Sequence, residues 1–447
     1  MNVILYSEDN FVWTSMQEII PGLVDCWKEV SKRRGEEVLL LNLDADDLKS
    51  HMPSLLKCQN LIVTSFNIKI SNAVVLIREK LGVDARIHFH LHGLASVGCW
   101  PLFEFGMGRL LKKSDVFYST CKRDAVAFKL TFENARCEIV PFHSSTIKSS
   151  KRVKSDVTTF VYVGRLAEQK NLHQLLWVCA LVNKEHSNLK YRLKLFGKGD
   201  DLGSPNMDIP PIDYLNFLKK EIEDLNLKNV SLEGFVERNK LDQWIIENEH
   251  VFISPSLHSD ENFGIAALKS LMAGSTAILS DWGGHTDFKS EFKNAVSLIS
   301  VKEGSYGPCL DPLELKNAIV DKLENYSINS ISTDNYSFER VVSKYEEILS
   351  QQDRGSTEDL MRSTLSIDVQ SKRNKLIGKR QCHCFESYSD EMAQDFFRAY
   401  GMSDQIVRSE ISGELAPWVK DSGFVDPHKG KVENIKRNEL LTNGWIY

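Results

Sequence analysis

The 447-residue sequence has no apolar run approaching the ~20 residues of a membrane-spanning helix. It has no excess of positive charge either. Its 55 Lys and Arg stand against 61 Asp and Glu, a formal net charge of -6, so no global field draws it to nucleic acid. Nucleic acid is therefore not expected as a partner, while peripheral contact with a membrane stays open. A basic start, a short apolar core and a cleavage site are also missing, because Met1-Asn2-Val3-Ile4-Leu5-Tyr6 reads directly as a first buried strand. The nine cysteines are scattered, and several sit in apolar runs (Cys26, Cys179), a pattern that suits buried free thiols in a reducing compartment. Together these features predict a cytoplasmic protein. Cys382-His383-Cys384 is the one cluster of metal-ligand types, without the usual spacing of about two to four residues within a pair. No metal site is expected. Asp44-Ala45-Asp46 and Asp200-Asp201 read as turn formers. Arg109, Lys112 and Lys113 read as a solvated face, and Lys148, Lys151, Arg152 and Lys154 as part of a polar linker.

What is present is ordered alternation. The length exceeds what one hydrophobic core usually serves, so two or more domains are expected. Short apolar strands at 3–6, 38–43, 61–65, 87–91, 116–119 and 137–141 are interleaved with helical spacing over 13–32 and 73–81. A Ser- and Lys-rich break at 146–156 follows. The alternation then restarts, with strands at 159–163, 191–196, 230–232, 251–253 and 277–279 and helices at 171–182, 214–225, 241–246, 263–273, 312–323 and 338–349. Repeated β-α alternation predicts α/β architecture with two doubly wound Rossmann-like domains, residues 1–150 and 157–350. Residues 351–357 are polar, and the rest of the 351–447 extension carries aromatics without clear periodicity. Its role stays open, self-association included.

Ligands of such sheets bind beyond the carboxyl ends of strands. The first loop of interest is Gly164-Arg165-Leu166-Ala167-Glu168-Gln169-Lys170-Asn171. Gly164 permits close approach, Arg165 can fork onto phosphate oxygens, and Lys170 adds a point charge. The second is Phe196-Gly197-Lys198-Gly199. The third runs from Ser254-Pro255-Ser256 through Glu261-Asn262-Phe263-Gly264-Ile265 to Ala273-Gly274. Here an acid caps a helix whose first turn contains Gly264, with the N–H groups of Phe263, Gly264 and Ile265 at its N-terminus. Glu261 can accept hydrogen bonds from sugar hydroxyls, or simply serve the helix dipole.

These loops, with Val230-Ser231-Leu232-Glu233-Gly234-Phe235-Val236 and Gly283-Gly284-His285-Thr286-Asp287, stand in an order that resembles the retaining glycosyltransferases of family 4. The resemblance covers roughly 158–350, is weak before that, and does not extend to the tail. It implies the GT-B architecture, with a cleft between two domains, residues 157–350 binding the donor and 1–150 facing the acceptor. It further implies a metal-independent transferase that uses a nucleotide-diphosphate sugar as donor, needs no cofactor, and serves a glycan, lipid-linked or protein acceptor. By that resemblance Arg165 and Lys170, with Gly164 and Gly197, hold the donor diphosphate. Phe235 and Val236 meet the base, and Glu261, Asn262, Phe263, Gly264 and Ile265 hold the transferred sugar. His92 resembles the family's histidine that faces the sugar.

Two departures stand out. The family has a second Glu eight residues after the first, and this sequence has Lys269 there. A carboxylate accepts hydrogen bonds from the ribose diol, whereas an ammonium only donates. Helical spacing leaves Lys269 near the face of Glu261, so it is expected to face the nucleotide. The loop after the first strand, Ser7-Glu8-Asp9-Asn10-Phe11, lacks the family's paired glycines. Both departures leave open a non-catalytic binding or chaperone-like subunit of GT-B fold.

Overall fold

The computed structural model of the chain describes residues 1–12, 14–93, 98–145, 152–153, 155–199, 211–304, 307–328, 333–351, 358–377, 391–406, 424–426 and 431–433. Cys382-His383-Cys384, Asp200-Asp201, the linker lysines Lys148, Lys151 and Lys154, and the last aromatics of the tail lie outside the described residues. The chain divides into two units. Unit 1 comprises Met1–Thr146 and Thr333–Gln370, and unit 2 comprises Ile147–Ser332 and Ser371–Tyr447.

Unit 1 is built on a six-stranded sheet of β1 (Asn2–Tyr6), β2 (Val38–Asn42), β3 (Asn60–Val63), β4 (Arg86–His90), β5 (Val116–Ser119) and β6 (Arg136–Ile139). The order is β2-β1-β3-β4-β5-β6 and all neighbours are parallel. The neighbouring strands β1 and β3 are apolar runs, as burial on both faces requires, with Val3, Ile4, Leu5, Leu61, Ile62 and Val63 fully buried. The helix Met16–Arg33 covers one face through Ile20, Leu23 and Trp27.

The helix Phe338–Ser350, grouped by the sequence reading with residues 157–350, belongs to unit 1. Tyr345 packs on Trp27 with ring centroids 4.9 Å apart, and Arg33 pairs with Glu339 and Glu346. The helix carries one strongly apolar stripe, and its periodicity is silent about which sheet that stripe will meet. The start of the extension also returns to unit 1, where Leu360 donates to the carbonyl of Leu111 and Ser363 to that of Thr131. The basic residues read as a solvated face are each met by a carboxylate: Arg109 by Glu79, Lys112 by Asp84, Lys113 by Glu358.

Unit 2 holds β7 (Thr158–Val163), β8 (Tyr191–Phe196), β9 (Val230–Gly234), β10 (Val251–Ser254), β11 (Thr276–Ser280) and β12 (Val296–Ile299), again all parallel. The order is β12-β11-β10-β7-β8-β9, so the chain reverses direction across the sheet between β7 and β10. A small sheet joins β13 (Val301–Gly304), β14 (Gly307–Leu310) and β15 (Ser403–Ile406) in the order β14-β13-β15. The α/β class and the two doubly wound sheets expected from the sequence are present.

Candidate functional site

The strand order explains why distant loops meet. Neighbouring strands β7 and β10 carry their connections in opposite lateral directions, which opens a crevice at their carboxyl ends. The loop after β7 carries Arg165 and Lys170, and the loop after β10 carries Ser256, His258 and Glu261. The backbone of Leu257 donates to the carbonyl of Gln169 (2.9 Å) and ties the two loops together.

Lys170 Nζ donates to Glu261 Oε2 at 2.6 Å and reaches Ser256 Oγ at 3.4 Å. Both charged side chains are largely buried, at 12% and 13% exposure. Burial raises the Glu261 pKa, but the Lys170 ammonium, the His285 ring, and hydrogen bonds from Lys170 and Ser256 outweigh it and hold the carboxyl well below the usual carboxylate range. His285 Nε2 lies 3.9 Å from Glu261 Oε1, and its Nδ1 is 3.2 Å from Ser280 Oγ. Burial also depresses the imidazole's pKa, against the pull of the carboxylate. Arg165 reaches His258 Nε2 at 3.2 Å.

Backbone geometry supports this grouping. A Cβ on Gly197 would stand 1.8 Å from the carbonyl oxygen of Gly164, so the loop after β8 closes on the loop after β7 only because this residue is glycine. Leu166 then donates to the carbonyl of Lys198 (2.8 Å). The helix following Glu261 runs from Ile265 to Met272. Gly264 precedes it, in the left-handed conformation at φ 85° with no side-chain cap, and is not in its first turn as expected. A Cβ there would meet His285 Cδ2 at 2.8 Å, so the position needs glycine both for its dihedral and for the ring beside it. Gly274 ends the helix with φ 92°, as expected.

The remaining expected residues differ in exposure. Phe263 is buried, Asn262 and Ile265 are half-buried, and Phe235, after β9, is 56% exposed beside half-buried Val236. Lys269 is buried and is not a surface lysine. Its ammonium is held by both carboxylate oxygens of Asp242 (3.1 and 2.9 Å) on the helix Arg238–Glu247, with Arg238 Nε 3.6 Å from the same carboxylate. Asp242 had no signal in the sequence, because the pairing depends on how two helices lie side by side. Ser256, His258 and His285 were also missed as side chains with a task, although the sequence segments that contain them stood out.

In unit 1, His92 follows β4 with φ 44°. Its Nε2 faces the carbonyl oxygen of Thr64, which can only accept, so this nitrogen carries the proton. Burial holds its pKa at about 4, so the ring is neutral near pH 7 and Nδ1 is a bare acceptor. That Nδ1 is buried without a hydrogen-bond partner among the described residues. Its neighbours differ: His88 Nδ1 meets the Tyr118 hydroxyl at 2.9 Å, and His90 accepts from the indole of Trp27 at 2.9 Å. The glycine-poor loop after β1 forms a short 3-10 turn over Glu8–Val12, and Ser7 and the Asp9 backbone donate to Asp44. Asp46 accepts from the backbone of Asn42, so this acidic pair serves a turn. Among the described residues no group of three or more His, Cys, Asp or Glu is placed to hold a metal ion, and no helix is long and apolar enough to cross a membrane.

Residues 144–303 match the family of glycosyl transferases group 1, and this stretch contains every unit 2 loop described above. No curated protein sequence matches the chain. A solved trehalose-6-phosphate synthase is similar in fold, with TM-score 0.50 and 14% identity over 78% of this chain and 98% of that one. The Anabaena protein HepE, in complex with UDP and glucose, aligns with TM-score 0.49 and 12% identity over 85% of this chain and 99% of that one. The pneumococcal O-GlcNAc transferase GtfA, in complex with UDP and GlcNAc, aligns with TM-score 0.43 and 14% identity over 68% and 59%. At these identities the likeness is one of fold, and the fold is GT-B.

Proposed function

We propose that the chain is a metal-independent glycosyltransferase that moves a sugar, with retention, from a nucleotide-diphosphate donor to a hydroxyl of a glycan, lipid-linked or protein acceptor in the cytoplasm. The observation that carries this reading is the pairing of Lys170 with Glu261, and of Arg165 with His258 on the same loop, at the carboxyl ends of β7 and β10, inside the segment that matches the glycosyl transferases group 1 family. In such a transfer the bond from the anomeric carbon to the diphosphate oxygen breaks, and negative charge grows on the departing diphosphate. Fixed cations in a site shielded from water stabilise that charge more in the transition state than in the bound donor. Arg165 and Lys170 supply two such cations, which is the support for metal independence. Glu261, ionised and oriented by Lys170 and Ser256, is suited to accept hydrogen bonds from sugar hydroxyls. Exposed Phe235 offers a face on which a base can stack, beside Val236. His92 is proposed to offer its bare Nδ1 to a sugar hydroxyl.

A second reading, a non-catalytic binding subunit of the same fold, is favoured by Lys269. The family's carboxylate is replaced there by an ammonium already satisfied by Asp242. One assay separates the two. The purified chain is incubated with a panel of nucleotide-diphosphate sugars, with and without EDTA, and release of the nucleoside diphosphate is followed. The enzymatic reading expects release that survives EDTA and disappears in Arg165→Ala. A folded wild-type chain that binds nucleoside diphosphates but releases none from any donor supports the binding subunit instead.

A further inference from the structure

The segment 391–406 reaches the back of the loop that carries Glu261. In the helix Glu391–Tyr400, Phe396, Phe397 and Tyr400 are fully buried, while Asp395 and Arg398 are exposed. The buried side meets the turn after β11. Trp282 is fully buried there, its ring edge-on to Tyr400 at 5.2 Å and tilted against Phe397 at 6.2 Å. The N–H of Gly283 donates to the carbonyl of Tyr400 (3.0 Å), and the N–H of Gly284 donates to the carbonyl of Glu261 (2.7 Å). The indole of Trp282 donates to the carbonyl of His258 (2.7 Å). A Cβ on Gly283 would lie 2.1 Å from the carbonyl oxygen of Glu261 and 2.6 Å from the Tyr400 ring. Three chain segments therefore converge on the space of one absent methyl group. The segment is fixed at its far end as well, because β15 pairs with β13.

This arrangement bears on Glu261 because it reaches the main chain of the loop that carries it. Residues 258–264 are neither helix nor strand. Two carbonyls of this loop, of His258 and Glu261, accept from Trp282 and Gly284; Trp282 is in turn packed against Tyr400 and Phe397, and Gly283, between them, donates to the carbonyl of Tyr400. We propose that residues 391–406 are a built-in part of the donor site: Phe397 and Tyr400 are positioning residues that act through Trp282-Gly283-Gly284 to hold Glu261 against Lys170. The proposal deepens the reading of this crevice as a nucleotide-diphosphate-sugar site and rests on it for its functional meaning. It assigns a task to part of the extension outside the 144–303 family segment.

The test uses the full chain with Tyr400→Ala and Phe397→Ala, and with Tyr400→Phe and Phe397→Leu as conservative partners. Hydrogen exchange of peptides covering 258–264 and 281–286 is the first measurement. Exchange is expected to quicken by about tenfold or more in the alanine variants, to stay near wild type in the conservative ones, and to be unchanged in β1 and β3. Unchanged exchange at 258–264 overturns the proposal. Should an alanine variant fail to fold, Tyr400→Leu replaces it in the same measurement. The second measurement is a double-mutant cycle. If Tyr400 positions Glu261, the effect of Glu261→Gln on the unfolding constant shrinks by about tenfold in the Tyr400→Ala background and returns in Tyr400→Phe. Additive effects overturn the positioning role. UDP and GDP, titrated calorimetrically, test the underlying reading separately. A wild-type chain that binds neither overturns the donor-site assignment, while exchange and the cycle still decide what holds the loop.

Discussion

The Lys170–Glu261 pair lets stability and ligand binding be pulled apart. Its two side chains are 12% and 13% exposed and 2.6 Å apart, so screening by water is slight. Lys170→Ala leaves a buried carboxylate without its cation, and such a loss typically destabilises by about 3–5 kcal/mol. Glu261→Gln keeps the shape and one acceptor for Lys170, so its cost is nearer about 1–2 kcal/mol. Both changes therefore lower the urea midpoint. Their effects on UDP binding should differ, with weakening in Lys170→Ala alone. Lys170 is proposed to bond the diphosphate, and a charge-assisted hydrogen bond contributes about 1.5–3 kcal/mol, or about 10- to 150-fold in affinity. Lys170→Ala should weaken UDP binding by that factor. Glu261→Gln removes the anion that competes for the same ammonium, so UDP should bind as tightly as to wild type or more so, while sugar transfer falls. Urea unfolding and calorimetric titration of UDP on the same preparations supply both quantities. Equal weakening of UDP binding by the two variants, or no weakening by Lys170→Ala, would refute the division of labour assigned to these residues.

Three further outcomes follow from the same geometry. The folded pKa of Glu261 is depressed from 4.5, so between the two values the unfolded chain takes up a proton that the folded chain does not. The pair's contribution should be fully present above about pH 4.5 and be lost as pH falls toward the folded value; wild type and Glu261→Gln should therefore converge in urea midpoint as acid is added. Burial lowers His88 to about 3, His92 to about 4 and His250 to about 3 from 6.5, so the unfolded chain also binds more protons below pH 6.5. Stability should fall by about 1.4 kcal/mol per pH unit for each such histidine between pH 6.5 and pH 4, and a flat profile of urea midpoints from pH 7 to pH 5 would contradict their burial as neutral rings. Lys269→Ala and Asp242→Ala should each lower stability by about 1–2 kcal/mol, because Asp242 keeps some solvent contact, and the double variant should cost no more than either alone; additive losses in urea unfolding would show that the pair does not act as a unit.

Much of the fold was legible in the sequence because burial on both faces of a parallel sheet demands unbroken apolar strands. The runs at 3–6, 61–65, 159–163 and 251–253 could hardly be anything else. The loops after β7, β8 and β10 were legible for a related reason: glycines and charged residues that interrupt such runs stand where strands end. Gly197 and Gly264 are required by close contacts that no side chain could share, and that requirement leaves a mark in the residue type. The sequence by itself thus determined the α/β class, the two sheets and the placing of Arg165, Lys170 and Glu261 at strand ends.

Tertiary structure alone decided the partners. That Lys170 meets Glu261 follows from β7 lying beside β10, a strand order that local patterning does not encode. That Lys269 meets Asp242 follows from one helix lying along another. The helix Phe338–Ser350 shows an apolar stripe without an address and the segment 391–406 aromatics without one; the first is taken by Trp27 and the second by Trp282. The physical reason is common to all four cases. An apolar face or a charge sets how strongly a residue seeks a partner, since hydrophobic burial has no direction and a single charge attracts any opposite one. Which partner it finds depends on the packing of elements far apart in the chain.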